Sequence, residues 1–269
     1  MKIIIKPKYY LITLLSEGYP HDKGINLINN KNELYLLSKP QFNNVIVYTP
    51  RIIRNLGYSY YVKERKQGVV YANLGLTKIG NGSYRPLMIL LEMEKMNEND
   101  IIVYRDANLK KYPILKNYNN IKNIIDYCLK ENNNDFFISR EVNSPSLKLK
   151  HFTKTNVLRE LGENHPFSYE FPLCICNFLI FRKTQKSIKF LNEWKEACEK
   201  EEWIDGEIYG ELHSEFKWYT PEQSLFNVIV ANWIRKKQLP ITFPNITFKN
   251  RDIYKIEKIT DYTHLNFIN

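Results

Sequence analysis

Apolar and polar positions change period repeatedly along the chain, and the changes predict alternating strands and helices. Residues 9–16 form an apolar run read as a buried strand, followed by loop signals at Gly18, Pro20 and Gly24. Residues 25–37 place Leu27, Ile28, Leu34, Leu36 and Leu37 in a mainly helical pattern, and 44–49 (NVIVYT) is a short β-branched strand. Residues 51–66 fit neither period, and 69–74 reads as another short strand. Pro86 sits where a helix begins, with Leu87, Leu90, Leu91, Met93 and Met96 on one side. Asn97 to Asn99 end that helix, and 101–104 is the next strand. Further on, 119–129 reads as helix, 136–139 as strand, and 155–161 as a short helix stopped by Gly162. Residues 172–181 form a long apolar strand. Residues 184–199 form an amphipathic helix with Ile188, Leu191, Trp194 and Cys198 on one face. A last helix starts at Thr220 or Pro221 and turns Leu225, Phe226, Ile229, Val230 and Trp233 inward. From Leu239 onward the pattern predicts a shorter, irregular finish.

This alternation predicts one α/β domain over 1–269, with a mainly parallel, Rossmann-like central sheet flanked by helices. There is no internal repeat and no Pro/Gly/Ser-rich linker. The 269 residues, 43% hydrophobic and 14% aromatic, supply a sizeable core and exclude global disorder. Lys, Asn, Ile and Tyr are all abundant, so the net charge of +10 partly reflects compositional bias. It suits an anionic substrate such as a nucleotide, or a weak attraction to a membrane surface. Nucleic acid is not an expected partner: the longest basic run is Arg235-Lys236-Lys237, and no nucleic-acid motif is present. Cys128, Cys174, Cys176 and Cys198 lack zinc-finger spacing and read as buried free thiols of a reducing compartment. No segment approaches the roughly 18–20 apolar residues of a membrane span, and no small-residue cleavage site follows the first apolar run. A cytoplasmic protein without a transmembrane segment is the expectation.

The candidate chemistry centres on Arg105-Asp106-Ala107-Asn108, directly after the apolar strand at 101–104. Side chains at i and i+2 of an extended segment point the same way, so Asp106 and Asn108 can converge. Two hard oxygen donors suit Mg²⁺ or Mn²⁺ holding a diphosphate. Ligands of open α/β sheets collect at the carboxyl ends of strands, which makes Asp106 the candidate centre. The rival reading is ordinary turn chemistry, since Asp and Asn both favour turns.

Three motifs extend this picture. Residues 82–108 contain Tyr84-Arg85-Pro86 at a helix start, a strand IIVY, and then Asp106-x-Asn108. Residues 178–194 (FLIFRKTQKSIKFLNEW) run a strand into a helix, and 219–227 (YTPEQSLFN) open another helix. In this order the three, spanning about 82–234, resemble the GT-A-fold glycosyltransferases, and EQSLFN is similar to the family-8 members. Asn108 stands where the commoner pattern has Asp, keeping an oxygen ligand and losing a charge. Glu222 likewise replaces an Asp.

The resemblance implies a GT-A-like domain. Its nucleotide-binding half would cover about 1–110 and its acceptor half about 111–240, with a C-terminal extension over 241–269. The activity implied is transfer of a sugar from a nucleotide-sugar donor, by default a UDP-sugar, to a glycan, lipid-linked or protein acceptor. Thr13 and Ser16 would meet the base and ribose, and Arg85 the phosphates. Asp106 and Asn108 would hold Mn²⁺ or Mg²⁺. Glu222 would serve as general base or bind a sugar, and Gln223 would contact the sugar face. Lys154 matches a position near the acceptor site, and the loop 206–218 is expected to move and line that side. Stereochemistry stays open; Asp205 and Glu207 are other candidate bases.

Each residue also has a purely structural reading. Arg85 fits a helix start, and Glu222-Gln223 a first turn behind a Thr220 N-cap. Trp194 and Trp233 fit the core, and His165 and His213 fit caps or the surface. Two rival functions remain: a nucleotidyltransferase, whose glycine-rich loop is missing after the first strand, and a non-catalytic nucleotide- or carbohydrate-binding module.

Overall fold

A computed structural model describes residues 6–16, 42–66, 77–107, 125, 129, 135–138, 146–208, 210–239, 244–249 and 252–258. The expected helix at 25–37, the strand at 69–74, most of 119–129, and Asn108 lie outside these residues. Within 119–129, Ile125 and Leu129 are helical and buried.

The fold is mixed α/β, built on a five-stranded sheet of order β2-β1-β5-β7-β6. At its centre, β1 (Tyr9–Leu14) pairs in parallel with β2 (Asn44–Tyr48) and β5 (Ile101–Arg105). All residues of β1 and β5 are buried, as expected of strands covered on both faces. β7 (Phe178–Arg182) runs antiparallel to β5, and β6 (Phe136–Phe137) antiparallel to β7. The sheet is therefore mixed where a mainly parallel one was expected: β7 alone is reversed. That reversal brings the start of β7 beside the end of β5, where the Asp106 amide donates to Asn177 O at 2.9 Å.

The long strand expected at 172–181 is strand only over its second half. Its first half has no full ladder because side chains of the last long helix satisfy its backbone. Asn227 accepts from Cys174 N at 2.5 Å and donates to Cys174 O at 3.0 Å, and Gln223 donates to the same carbonyl at 2.8 Å. An amide side chain thus does the work of a neighbouring strand.

The ambiguous stretch 51–66 resolves into helix α1 (Pro50–Asn55), a 3₁₀ turn, and β3 (Glu64–Lys66), which pairs with β4 (Thr77–Ile79). α2 (Tyr84–Lys95) begins two residues before Pro86, whose missing N–H falls in the first turn, where no intrahelical partner exists anyway. α3 (Thr155–Glu160) and α4 (Pro166–Glu170) follow, the latter capped by His165 Nδ1, which accepts from Phe167 N at 3.1 Å. Gly162 is not the left-handed stop expected after α3; that backbone falls on Glu163 (φ 55) and Asn164 (φ 49). Gly162 is needed because a Cβ there would lie 2.5 Å from Leu158 O.

α5 (Gln185–Glu199) is capped by Thr184, whose hydroxyl accepts from Ser187 N at 3.2 Å. It buries Phe190, Leu191 and Trp194 against α7 (Pro221–Arg235), with Trp194 and Phe226 rings 4.7 Å apart and Phe190 and Trp233 rings 5.3 Å apart. Both tryptophans are core residues. Thr220 makes no side-chain cap for α7; its hydroxyl meets Ser224 Oγ at 3.2 Å. The short α6 (Glu201–Ile204) lies between α5 and α7. The C-terminal finish is regular rather than irregular: β8 (Pro244–Lys249) and β9 (Asp252–Lys258) form an antiparallel hairpin. Cys174, Cys176 and Cys198 are buried free thiols. Among the described residues no helix is long and apolar enough to cross a membrane.

Candidate active site

Three segments meet at the carboxyl edge of β5. Asp106 follows the strand directly, Arg85 lies in the first turn of α2, and Glu222 lies in the first turn of α7. Arg85 joins them. Its Nη2 donates to Asp106 Oδ1 at 3.0 Å, its Nη1 to Glu222 Oε2, and its Nε to the Tyr104 hydroxyl at 2.9 Å. The Tyr104 hydroxyl donates a hydrogen bond to the same Asp106 Oδ1, at 2.7 Å. Arg85, Tyr104 and Glu222 are buried, whereas the Asp106 side chain is 27% exposed.

The turn before α2 makes this closeness possible. Gly80, Asn81 and Gly82 all have positive φ, at 59°, 48° and 91°. A Cβ on Gly82 would stand 2.7 Å from Glu222 Oε2 and 3.1 Å from Arg85 Nη1, so a side chain there would collide with the ion pair. Asn81 holds the turn by donating to Lys66 O at 2.9 Å and Ile204 O at 3.0 Å.

One guanidinium facing two carboxylates sets unequal charges. Burial opposes ionisation of Asp106, but Arg85 and the Tyr104 hydrogen bond outweigh it and hold its carboxyl below the usual range. Glu222 is 3% exposed, so burial weighs more heavily there. Despite Arg85 and Lys78, burial and the Asp106 charge push the Glu222 carboxyl up to about 7. Arg85 itself, although burial disfavours its charge, is held well above its usual pKa by Asp106 and then Glu222. Glu222 Oε1 has no hydrogen-bond partner among the described residues.

The other predicted residues fall outside this network. Thr13 is fully buried, and its hydroxyl donates to Arg105 O at 2.8 Å, tying β1 to the end of β5. Ser16 is half-buried just beyond β1. Gln223 holds Cys174, as described above. Lys154 is buried rather than solvated: Nζ donates to Glu202 O and Asp205 O at 2.8 and 2.7 Å, and burial lowers its pKa to about 8. It caps the carboxyl end of α6, where a cation suits the helix dipole. Asp205 accepts from Glu207 N at 2.8 Å and Glu207 pairs with Lys66, so neither joins the Arg85 cluster. The loop expected to move is pinned at both ends, through Gly206 N to Lys66 O and through Lys217 N and Trp218 N to His151 O.

Tyr104 and Gly82 are the residues the sequence reading missed. Tyr104 carried a usable signal, because it stands at i−2 from Asp106 on the same side of an extended segment. Gly82 carried none beyond its place before α2.

As for a divalent ion, no group of three or more His, Cys, Asp or Glu that could hold one occurs among the described residues. The chemistry that is present suits a hard cation completed by substrate oxygens. Arg85 and Tyr104 both engage Asp106 Oδ1, and no hydrogen bond reaches Oδ2 among the described residues.

Glu222 makes a pH prediction. Its folded pKa of about 7 exceeds the ordinary 4.5, so its contribution to stability is full below 4.5 and is lost as pH rises through about 7. Glu222→Gln should therefore lose less stability than the wild type between pH 5 and pH 8 in urea titrations. Parallel losses in the two proteins would refute the assignment.

No protein-family model matches the chain, and a search of the curated proteins gives no match.

Proposed function

We propose that the protein is a nucleotide-sugar-dependent glycosyltransferase of the GT-A type, with Asp106 and Glu222 in its active site. One observation carries the proposal. From the segments that resemble the family in sequence, Arg85, Asp106 and Glu222 converge in one cluster, although Arg85 and Glu222 are 137 residues apart. They do so at the carboxyl edge of the sheet, where ligands of α/β folds collect.

In this reading Arg85 acts through its neighbours rather than on the phosphates. Together with Tyr104 it fixes Asp106 Oδ1, leaving Oδ2 for the ligand side. Asp106, with Asn108, would hold Mn²⁺ or Mg²⁺, which when bound neutralises charge on the departing diphosphate. Glu222, whose Oε1 is buried without a hydrogen-bond partner among the described residues, would take the proton of an acceptor hydroxyl that reaches it. A carboxyl poised near neutrality suits that role, and burial favours the neutral form it becomes. The default donor is a UDP-sugar, and the acceptor a hydroxyl of a glycan, a lipid-linked molecule or a protein.

A thermal-shift screen over nucleotide sugars, with and without Mn²⁺, tests donor recognition. A ligand at about 100 times its Kd stabilises by about 2.7 kcal/mol, a shift of several degrees. The expected result is a rise that needs both sugar nucleotide and metal. If none of the donors raises the melting temperature under either condition, the proposal fails. Binding without turnover would instead favour the non-catalytic module.

A further inference from the structure

We infer that α1 is a docking face for anionic membrane surfaces, with Ile52 and Leu56 entering the headgroup boundary and Arg51 and Arg54 meeting lipid phosphates. Ile52 (40% exposed) and Leu56 (51%) are the exposed large hydrophobics among the described residues. Ile52 lies in the helix and Leu56 is its C-cap residue, four positions on, whose amide donates to Ile52 O at 3.1 Å. Arg51 and Arg54 are exposed on the same short helix, and no acidic residue occurs between Phe42 and Lys63. The helix needs no partner to form. Thr49 caps it by accepting from Ile52 N at 3.3 Å, and Pro50 and Ile53 anchor its other side in the fold. Ile52 and Leu56 are therefore surplus to the core.

Size and charge together select a lipid surface over a protein. A stable protein interface buries about 1,000 Å² or more in total, far beyond two aliphatic side chains. A membrane rewards a small patch, because each arginine near an anionic leaflet adds its own attraction. The net charge of +10 adds a long-range pull. Position gives the docking a consequence. α1 starts two residues after Tyr48, which pairs with Leu14 on the neighbouring strand, and β5 lies beyond β1. With strands about 4.8 Å apart, α1 begins on the same sheet edge as Asp106, about 10 Å away across the sheet. A docked α1 turns that edge toward the membrane, whatever reaction takes place there.

Co-sedimentation of the full chain with vesicles tests the inference, using phosphatidylcholine alone and phosphatidylcholine mixed with phosphatidylglycerol. Binding is expected only to the anionic vesicles and should weaken with salt. Arg51→Gln with Arg54→Gln should lower the partition coefficient about 10- to 30-fold. Ile52→Ser with Leu56→Ser should lower it at unchanged charge. All four positions are exposed, so melting temperatures should hold. Arg159→Gln with Lys189→Gln, a charge-matched pair on α3 and α5, should retain most of the binding. The inference is overturned if no vesicle binds, or if the control pair weakens binding as much as the α1 pair. It is equally overturned if Ile52→Ser with Leu56→Ser dissolves a dimer of a chain that ignores vesicles.

Discussion

Arg85→Met should destabilise the protein by about 3–5 kcal/mol, the cost of stripping a buried cation from its partners. Methionine keeps the volume, so the loss isolates the charge and hydrogen bonds. Asp106, Glu222 and the Tyr104 hydroxyl would all lose the donor they share. Arg85→Lys keeps the charge but cannot spread it over three partners, and should recover only part of the loss. Adding Glu222→Gln to Arg85→Met should cost less than the sum of the two changes, since one fewer carboxylate is left uncompensated. Urea unfolding at pH 8, where Glu222 is mostly ionised, gives the clearest reading. A loss below about 1 kcal/mol, the size typical of an exposed ion pair, would mean that the cluster does not form as described.

Asp106→Asn is the counterpart at the level of chemistry. The amide oxygen can still accept from Arg85 and Tyr104 and Glu222 still faces the guanidinium, so the stability loss should be smaller than that of Arg85→Met. What disappears is the negative charge on the ligand side. Losing one preorganised electrostatic group costs about 10²–10³-fold in rate, and transfer activity should fall by that much or more. Metal-dependent stabilisation by a sugar nucleotide should fall with it. Tyr104→Phe separates positioning from charge. It removes the hydrogen bond to Oδ1 and the acceptor of Arg85 Nε while keeping the Arg85–Asp106 pair, so it should lower kcat by less than Asp106→Asn does. Wild-type activity in Asp106→Asn would exclude Asp106 from the reaction.

The sequence made the repetitive parts of the fold readable. β1, β2, β5, α2, α5 and α7 announce themselves by period or by Pro near a helix start, and these local signals survive tertiary packing. The misreadings arise where distant residues replace local partners. Residues 172–177 look like strand, yet Asn227 and Gln223 supply hydrogen bonds that a strand would otherwise give. Lys154 matches a position near the acceptor site, yet it is buried and its Nζ is taken up by two carbonyls at the end of α6. The reversal of β7 has no signature in an apolar run, which reads the same in either direction.

The candidate site divides along the same line. Asp106 was visible because it ends an apolar strand, and Glu222 because it opens an amphipathic helix. That Arg85 would bind both was not visible, because nothing local links a helix start at 84 to another at 221. Tyr104 was within reach of the i, i+2 argument applied to Asp106 and Asn108. Gly82 shows its purpose only when Glu222 is seen against it.

Release of nucleoside diphosphate from a panel of nucleotide sugars, with Mn²⁺ or Mg²⁺ present, tests the central claim most directly. The wild-type chain should release diphosphate from at least one donor, more slowly below pH 7 than above it, and Asp106→Asn should release almost none. If neither metal supports release from any donor in the panel, while the purified chain melts cooperatively, the site at Asp106 is not that of a glycosyltransferase.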